Sequence, residues 1–149
     1  MVLSLVGQAQ VKYGQQAGEI ALPSIKGDTV RLSSLQGKVV LLDFWASWCG
    51  PCRIANKKLV KMYDKFKNKG FEIFSVSIDV DKKAWEKAIK KDKITWLQVN
   101  DDKGWNGKIQ ARWNIYKIPT SYLIDKQGKL VARDPEKRDL EKLLPGLLN

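Results

Sequence analysis

"KVVLLDFWASWCGPCR" runs from Lys38 to Arg53 and holds both cysteines of the chain, Cys49 and Cys52, two residues apart. Val39 to Ala46 is a nearly continuous apolar run, which suits a central strand buried on both faces. After the cysteines, Ile54, Ala55, Leu59, Met62, Tyr63 and Phe66 recur at helical spacing. Gly70 supplies a left-handed stop, so the spacing predicts a helix over residues 50–69. Cys49 therefore stands where a strand hands the chain to a helix. The first turn of a helix offers unpaired N–H groups and the positive end of the dipole, and both favour a thiolate over a thiol. In such settings the cysteine pKa falls from about 8.5 toward 7 or below. The thiolate is the species that attacks a disulfide. Cys52, one turn on, can then attack the mixed disulfide. Two intervening residues let the sulfurs bond with little backbone strain, and Pro51 costs nothing as an early helical residue.

Working outward, "EIALPSIKGDTVRLSSLQGK" (Glu19 to Lys38) predicts two short strands around the turn cluster Lys26-Gly27-Asp28. "FEIFSVSID" (Phe71 to Asp79) predicts the next strand. Asp81 to Asp92 predicts a second amphipathic helix with Ala84, Trp85, Ala88 and Ile89 inward. A third short helix is expected over Trp105 to Trp113, with Trp105, Ile109 and Trp113 on one side and Asn114 in left-handed geometry at its end. Thr120 to Asp134 predicts a hairpin turning at Lys126-Gln127-Gly128. Glu136 to Leu144 predicts a closing helix that Pro145 ends or kinks. This order implies an α/β fold, a mixed central sheet with helices on both faces. Its Val39 and Phe71 strands pair in parallel through a right-handed crossover.

At 149 residues the chain fits one domain, and 44% hydrophobic residues with six Trp argue for a packed core. Lys and Arg number 27 and Asp and Glu 16, a net charge of 27 − 16 = +11. The lysines lie on the polar sides of predicted segments, as at Lys57-Lys58, Lys61 and Lys82-Lys83, and do not line a groove with aromatics. A solvated basic surface outweighs nucleic-acid binding, and a mild preference for acidic partners stays open. Histidine is absent, which excludes Ser-His-Asp and Cys-His hydrolases and most zinc or copper sites. No stretch approaches the roughly 20 apolar residues of a membrane span. In "MVLSLVGQAQ", Val2 to Val6 is apolar and Gly7-Gln8-Ala9 is a small-x-small site, but the basic n-region of an export signal is missing. A clipped export signal and an ordinary N-terminus weigh equally there. Residues 1–18 are expected to be flexible and 19–149 to form the domain.

"DFWASWCGPCR" resembles the active-site segment of thioredoxins, and the resemblance runs from about Glu19 to Leu144. "KVVLLDFWASWCGPCR" after an N-terminal hairpin, the inserted helix near Trp85 and "IPTSYLID" are similar to the extracytoplasmic TlpA/ResA-like branch, especially its Bacteroidetes representatives. The resemblance implies a thioredoxin fold. It makes Cys49 an exposed nucleophile and Cys52 a buried resolving thiol. Asp43 becomes the buried acid that accepts the Cys52 proton; a carboxylate inside an apolar strand is desolvated and its pKa raised. Pro119 matches the family's cis-proline, and Ile118 would offer its backbone to an extended substrate. Trp48 alone of the tryptophans would border the sulfurs, Trp45 would pack beneath them, and Trp85, Trp96, Trp105 and Trp113 would fill buried helix faces or their flanks; Trp48, Gly50 and Pro51 are the expected substrate-binding surface. Three positions depart from the pattern. Ala55 and Lys57 stand where that branch usually carries Glu and Pro, and Ser75 stands where thioredoxin has a Lys beside the buried acid.

The expectation is a thiol–disulfide oxidoreductase that reduces protein disulfides, with no cofactor beyond the Cys49–Cys52 pair. Its partners would be disulfide-containing proteins and an external electron donor, either a reductase or a membrane thiol transporter. A monomer in the periplasm or another extracytoplasmic space is expected, with the cytoplasm as the alternative. Three other readings compete: a peroxiredoxin-like thiol peroxidase, a non-catalytic module using Cys-Gly-Pro-Cys as cluster ligands, and a pair of structural thiols.

Overall fold

The computed structural model describes residues 12–149. The expected signal remnant over residues 1–10 lies outside them. The predicted N-terminal pair appears as β1 (Ala21–Pro23) and β2 (Thr29–Arg31), antiparallel across the Lys26-Gly27-Asp28 turn. Then come β3 (Val39–Trp45), α1 (Gly50–Phe66), β4 (Phe71–Ser77), α2 (Lys82–Lys91), β5 (Leu97–Asn100), α3 (Lys108–Arg112), β6 (Thr120–Ile124), β7 (Leu130–Arg133) and α4 (Lys137–Leu148). The sheet order is β5-β4-β3-β6-β7. β3 pairs in parallel with β4 and antiparallel with β6, so it is the middle strand.

Each residue of β3 is buried because both of its faces are covered. Val39, Leu41 and Trp45 pack with Met62 and Phe66 of α1, Trp85 of α2 and Leu140 and Leu144 of α4. Val40, Leu42 and Phe44 point the other way, onto Ile20, Leu32, Leu35, Ile109 and Trp113. Alternate residues thus fill two cores from one strand, and each fully buried large apolar side chain contributes about 1.5–3 kcal/mol. The last turn of the α1 segment tightens to a 3-10 helix over Lys67–Lys69, and Gly70 ends it at φ 94°. Asp81 caps α2, accepting from the backbone N–H groups of Lys83 and Ala84. On the N-terminal side of residue 19, the backbone of Gly14, Gln15 and Ala17 bonds to Gly128 and Leu130 of the β6–β7 hairpin.

Three expectations need correction. β5 was not foreseen: Leu97 and Val99 pack into one core, but the alternate residues that face the other side, Gln98 and Asn100, are buried polar side chains where apolar ones mark a strand. Gln98 is buried there because its Oε1 accepts the indole N–H groups of Trp45 at 3.0 Å and Trp85 at 3.4 Å. The helix expected over 105–113 is broken at Gly107, whose extended backbone separates a 3-10 turn (Gly104–Asn106) from α3. Ile109 and Trp113 are buried as expected, but the break turns Trp105 outward, 48% exposed. Finally, α4 runs through Pro145 to Leu148 instead of ending at Leu144. Pro145 faces solvent, and the turn beyond it is held by Leu147 and Leu148 packing on the core and by the Lys126 ammonium donating to the Leu148 carbonyl at 2.8 Å. None of the helices among the described residues is long and apolar enough to cross a membrane.

A proline inside a helix removes one hydrogen bond and crowds the preceding turn, at about 3 kcal/mol in a helix interior. Pro145 is one turn from the end of α4, so Pro145→Ala is expected to stabilise by less, about 1–2 kcal/mol. Urea unfolding monitored by tryptophan fluorescence checks this; a fall in the midpoint would show that the proline sets a needed bend.

Candidate active site

The chain leaves β3 at Trp45 and turns through Ala46, Ser47 and Trp48 into α1. Cys49 is the N-cap residue, in extended geometry (φ −89°, ψ 104°), with Pro51 in the first turn. The Cys52 backbone N–H donates to Cys49 Sγ at 3.2 Å, so one of the unpaired amides of the helix start is spent on the sulfur. Cys49 and Cys52 are joined as a disulfide with Cα atoms 5.2 Å apart. Gly50 and Pro51 are exposed between them. Cys52 is buried at 1% exposure, as expected. Cys49 is not exposed: it retains 6%. The cover is the loop before β6, where the Ile118–Pro119 bond is cis and the Ile118 carbonyl oxygen lies 3.8 Å from Cys49 Sγ. Trp48, directly before Cys49 in the chain, has 61% of its surface in water, while Trp45 is fully buried.

Asp43 does not point to solvent; it is 4% exposed on the α1 face of β3. The strand register places Gln98, Ser75, Asp43 and Ser121 side by side, a polar row crossing the sheet. The Trp96 indole N–H donates to Ser75 Oγ at 2.8 Å, which leaves the Ser75 hydroxyl proton for Asp43 Oδ2 at 3.3 Å. Burial pushes the Asp43 pKa up to about 7; the Ser75 hydrogen bond opposes this and the negative charge of Asp134 adds to it. Ser75 thus occupies the position beside Asp43 where thioredoxin has a lysine, and a hydroxyl brings no cation to hold the carboxylate ionised. Asp43 also opens onto a cavity of about 360 Å³, which it lines with Ala55, Met62, Pro119, Asp134 and Leu140. Ala55, where a Glu was the family expectation, leaves that space unfilled by a side chain.

A second polar group was missed by sequence reasoning. Ser47, two residues before Cys49, is held at all three of its polar groups. Its N–H and hydroxyl donate to the Asp79 carboxylate, at 3.0 and 2.6 Å, and its carbonyl accepts from Arg53 at 3.0 Å. Asp79 accepts a further hydrogen bond from Ser77 Oγ at 2.6 Å, and the Arg53 guanidinium forks onto the buried Asp92. This clamp fixes the loop that leads into Cys49. The available signal was positional: an Arg directly after the second cysteine and an Asp at the end of the neighbouring parallel strand.

A βαβ unit whose central strand delivers a Cys-Gly-Pro-Cys disulfide to a helix start, opposite a cis-proline loop, defines a thioredoxin-like thiol–disulfide oxidoreductase. The sequence model of the AhpC/TSA family matches residues 13–133, and the chain belongs to that family. Among curated relatives, the thiol-disulfide oxidoreductase ResA of Bacillus cereus is 33% identical over 124 residues, covering 83% of this chain and 70% of the relative. ResA of Bacillus subtilis is 30% identical over 125 residues, with 84% and 68% covered. Among solved structures, the thioredoxin domain of a thiol-disulfide oxidoreductase from Bacteroides vulgatus is similar at TM-score 0.86 and 36% identity, covering 94% of this chain and 100% of that one. A thiol-disulfide oxidoreductase from Bacteroides fragilis is similar at TM-score 0.82 and 37% identity, with 89% and 99% covered.

An acid whose folded pKa is raised destabilises the fold once pH exceeds its unfolded value of about 4 and does so fully above about 7. Asp43→Asn is therefore expected to leave stability near pH 4 almost unchanged and to raise it at pH 8.5, by on the order of 4 kcal/mol for a shift of about three units. Denaturant unfolding of the oxidised protein at both pH values is the measurement; an equal effect at the two would rule out a titrating buried carboxyl.

Proposed function

We propose that the chain reduces protein disulfides by dithiol–disulfide exchange through Cys49 and Cys52, in an extracytoplasmic compartment. The observation that carries this reading is the cap geometry: the amide of Cys52 is directed at Cys49 Sγ from a helix start. In the reduced form that amide and the helix dipole stabilise a Cys49 thiolate. The thiolate attacks one sulfur of the substrate disulfide; the substrate S–S bond breaks and its second sulfur leaves as a thiol after taking up a proton. Asp43 takes the proton of Cys52. With a pKa of about 7 it is a base of useful strength near neutrality. The Cys52 thiolate then attacks Cys49 Sγ and displaces the first substrate sulfur, the one held in the mixed disulfide, which leaves as a thiolate and takes up a proton. Two electrons have passed to the substrate and the enzyme holds the Cys49–Cys52 disulfide.

Regeneration requires an external dithiol donor, a soluble reductase or a membrane thiol transporter, and no cofactor. Ile118 and Pro119 face Cys49 with backbone that an extended substrate can pair with. Trp48, Gly50 and Pro51 are the exposed surface it meets. The Gly50-Pro51 pair resembles the reducing end of the family, which supports the direction. The likeness to the extracytoplasmic branch supports the compartment, and a monomer suffices for the chemistry.

Replacing Cys52 by Ser removes the resolving sulfur, so Cys49 is expected to remain in mixed disulfides that non-reducing gels and mass spectrometry detect. Capture by Cys49→Ser in its place would reverse the two roles. Equilibration of the wild-type pair against glutathione is expected to give a potential near thioredoxin's, about −270 mV; a value near −120 mV would make the protein an oxidant.

A further inference from the structure

The exposed aromatic rings near the disulfide form one surface. The Trp48 and Trp105 ring centroids lie 6.5 Å apart with planes at 55°. Exposed Val80 continues the patch, its Cγ2 standing 3.3 Å from where a Cβ on Gly104 would sit. Trp48 immediately precedes Cys49, so this apolar surface starts one residue from the reacting cysteine.

Trp105 is held outward by a built frame. Gly104 takes a left-handed φ of 57°, and its carbonyl accepts the side-chain amide of buried Gln110. Gly107 closes the other side: a Cβ there would run into the Asp101 carboxylate and the Gln110 amide. In Gly104-Trp105-Asn106-Gly107, therefore, the backbone is fixed on both sides and the indole projects. A tryptophan left half in water forgoes the stabilisation of full burial. Here the turn that exposes it is fixed rather than free to fold the ring inward. The occupant follows from position. A substrate that approaches Cys49 from the side of Trp48 lays its flanking polypeptide along Trp48 and Trp105.

We infer that Trp105 is a specificity-determining residue for the exchange reaction, forming with Trp48 an apolar wall that receives an apolar or aromatic side chain of the substrate polypeptide close to its disulfide cysteine. The inference rests on the exchange reading proposed above. Disulfides too small to carry such a side chain do not reach the wall.

The test uses the pre-reduced full chain and three substrates: a disulfide-linked peptide with Phe two residues from its cysteine, the same peptide with Ser there, and hydroxyethyl disulfide. Trp105→Ala is expected to lower the second-order rate constant for the Phe peptide by about three- to ten-fold, the range that one aromatic contact commands. The Ser peptide, hydroxyethyl disulfide and the glutathione equilibrium should not change, and Trp105→Phe should restore most of the loss. Equal losses on all three substrates would make Trp105 a structural residue, and no loss on any would make it a bystander; either overturns the inference. Failure of the wild-type protein to reduce any of the three would sink the exchange reading itself, and the inference with it.

Discussion

The site depends on one backbone donor. A helix start leaves its first amides without partners, and in this chain the amide of Cys52 finds the sulfur of Cys49 at 3.2 Å. That contact requires Cys49 to be the cap residue, which requires β3 to end where it does. β3 in turn is fixed by two cores, with alternate side chains facing α1, α2 and α4 on one side and the β1–β2 hairpin and α3 on the other. A shift of one residue in β3 would exchange the two faces and move Asp43 away from α1 along with the apolar residues. The position of the cap is therefore secured by hydrophobic burial well away from the sulfurs.

Burial also makes Asp43 useful and costly together. An acid in the middle of a dry strand destabilises the fold whenever it ionises, and a nearby lysine would relieve that penalty. The chain supplies Ser75 instead, its hydroxyl aimed by the Trp96 indole. A hydroxyl satisfies the carboxyl without neutralising it, so the pKa stays near 7. In the proposed exchange this poises Asp43 between acid and base at neutral pH, and the cavity it lines together with Asp134 adjoins the carboxyl.

The parts of this architecture legible in the sequence are those where local pattern and tertiary role agree. The apolar run of β3, the helical spacing after Cys52, the Gly70 stop and the Asn114 turn each have one physical reading, and the structure adopts it. The Cys-x-x-Cys pair was legible because no other cysteine or histidine competes for a role. What sequence reasoning missed depends on partners distant in the chain. β5 carries a buried Gln whose presence makes sense only once two indoles from β3 and α2 converge on it. Trp105 fits a helical face by spacing, but Gly107 breaks that helix because Asp101 and Gln110 fill the space a side chain would need. Pro145 is a stop signal overruled by Leu147 and Leu148 finding core. The clamp on Ser47 joins residues 79, 53 and 92, which no local pattern connects.

The low exposure of Cys49 changes how selectivity must arise. A freely exposed thiolate at a helix start would react with any accessible disulfide at a rate set by its nucleophilicity alone. Here the sulfur sits under the Ile118 carbonyl, in a loop whose backbone is pinned by Asp79 and Arg53, and the solvent-facing surface beside it belongs to Trp48. In the proposed exchange, approach is limited by fit against the surface of Trp48 and Trp105, and a surface that is already ordered loses little conformational entropy when a partner docks. On the proposed reading, reactivity is supplied by the helix start and discrimination by the rim. Because the two reside in separate residues, the identity of the substrate can be altered by surface change alone, with the Cys49–Cys52 chemistry left intact.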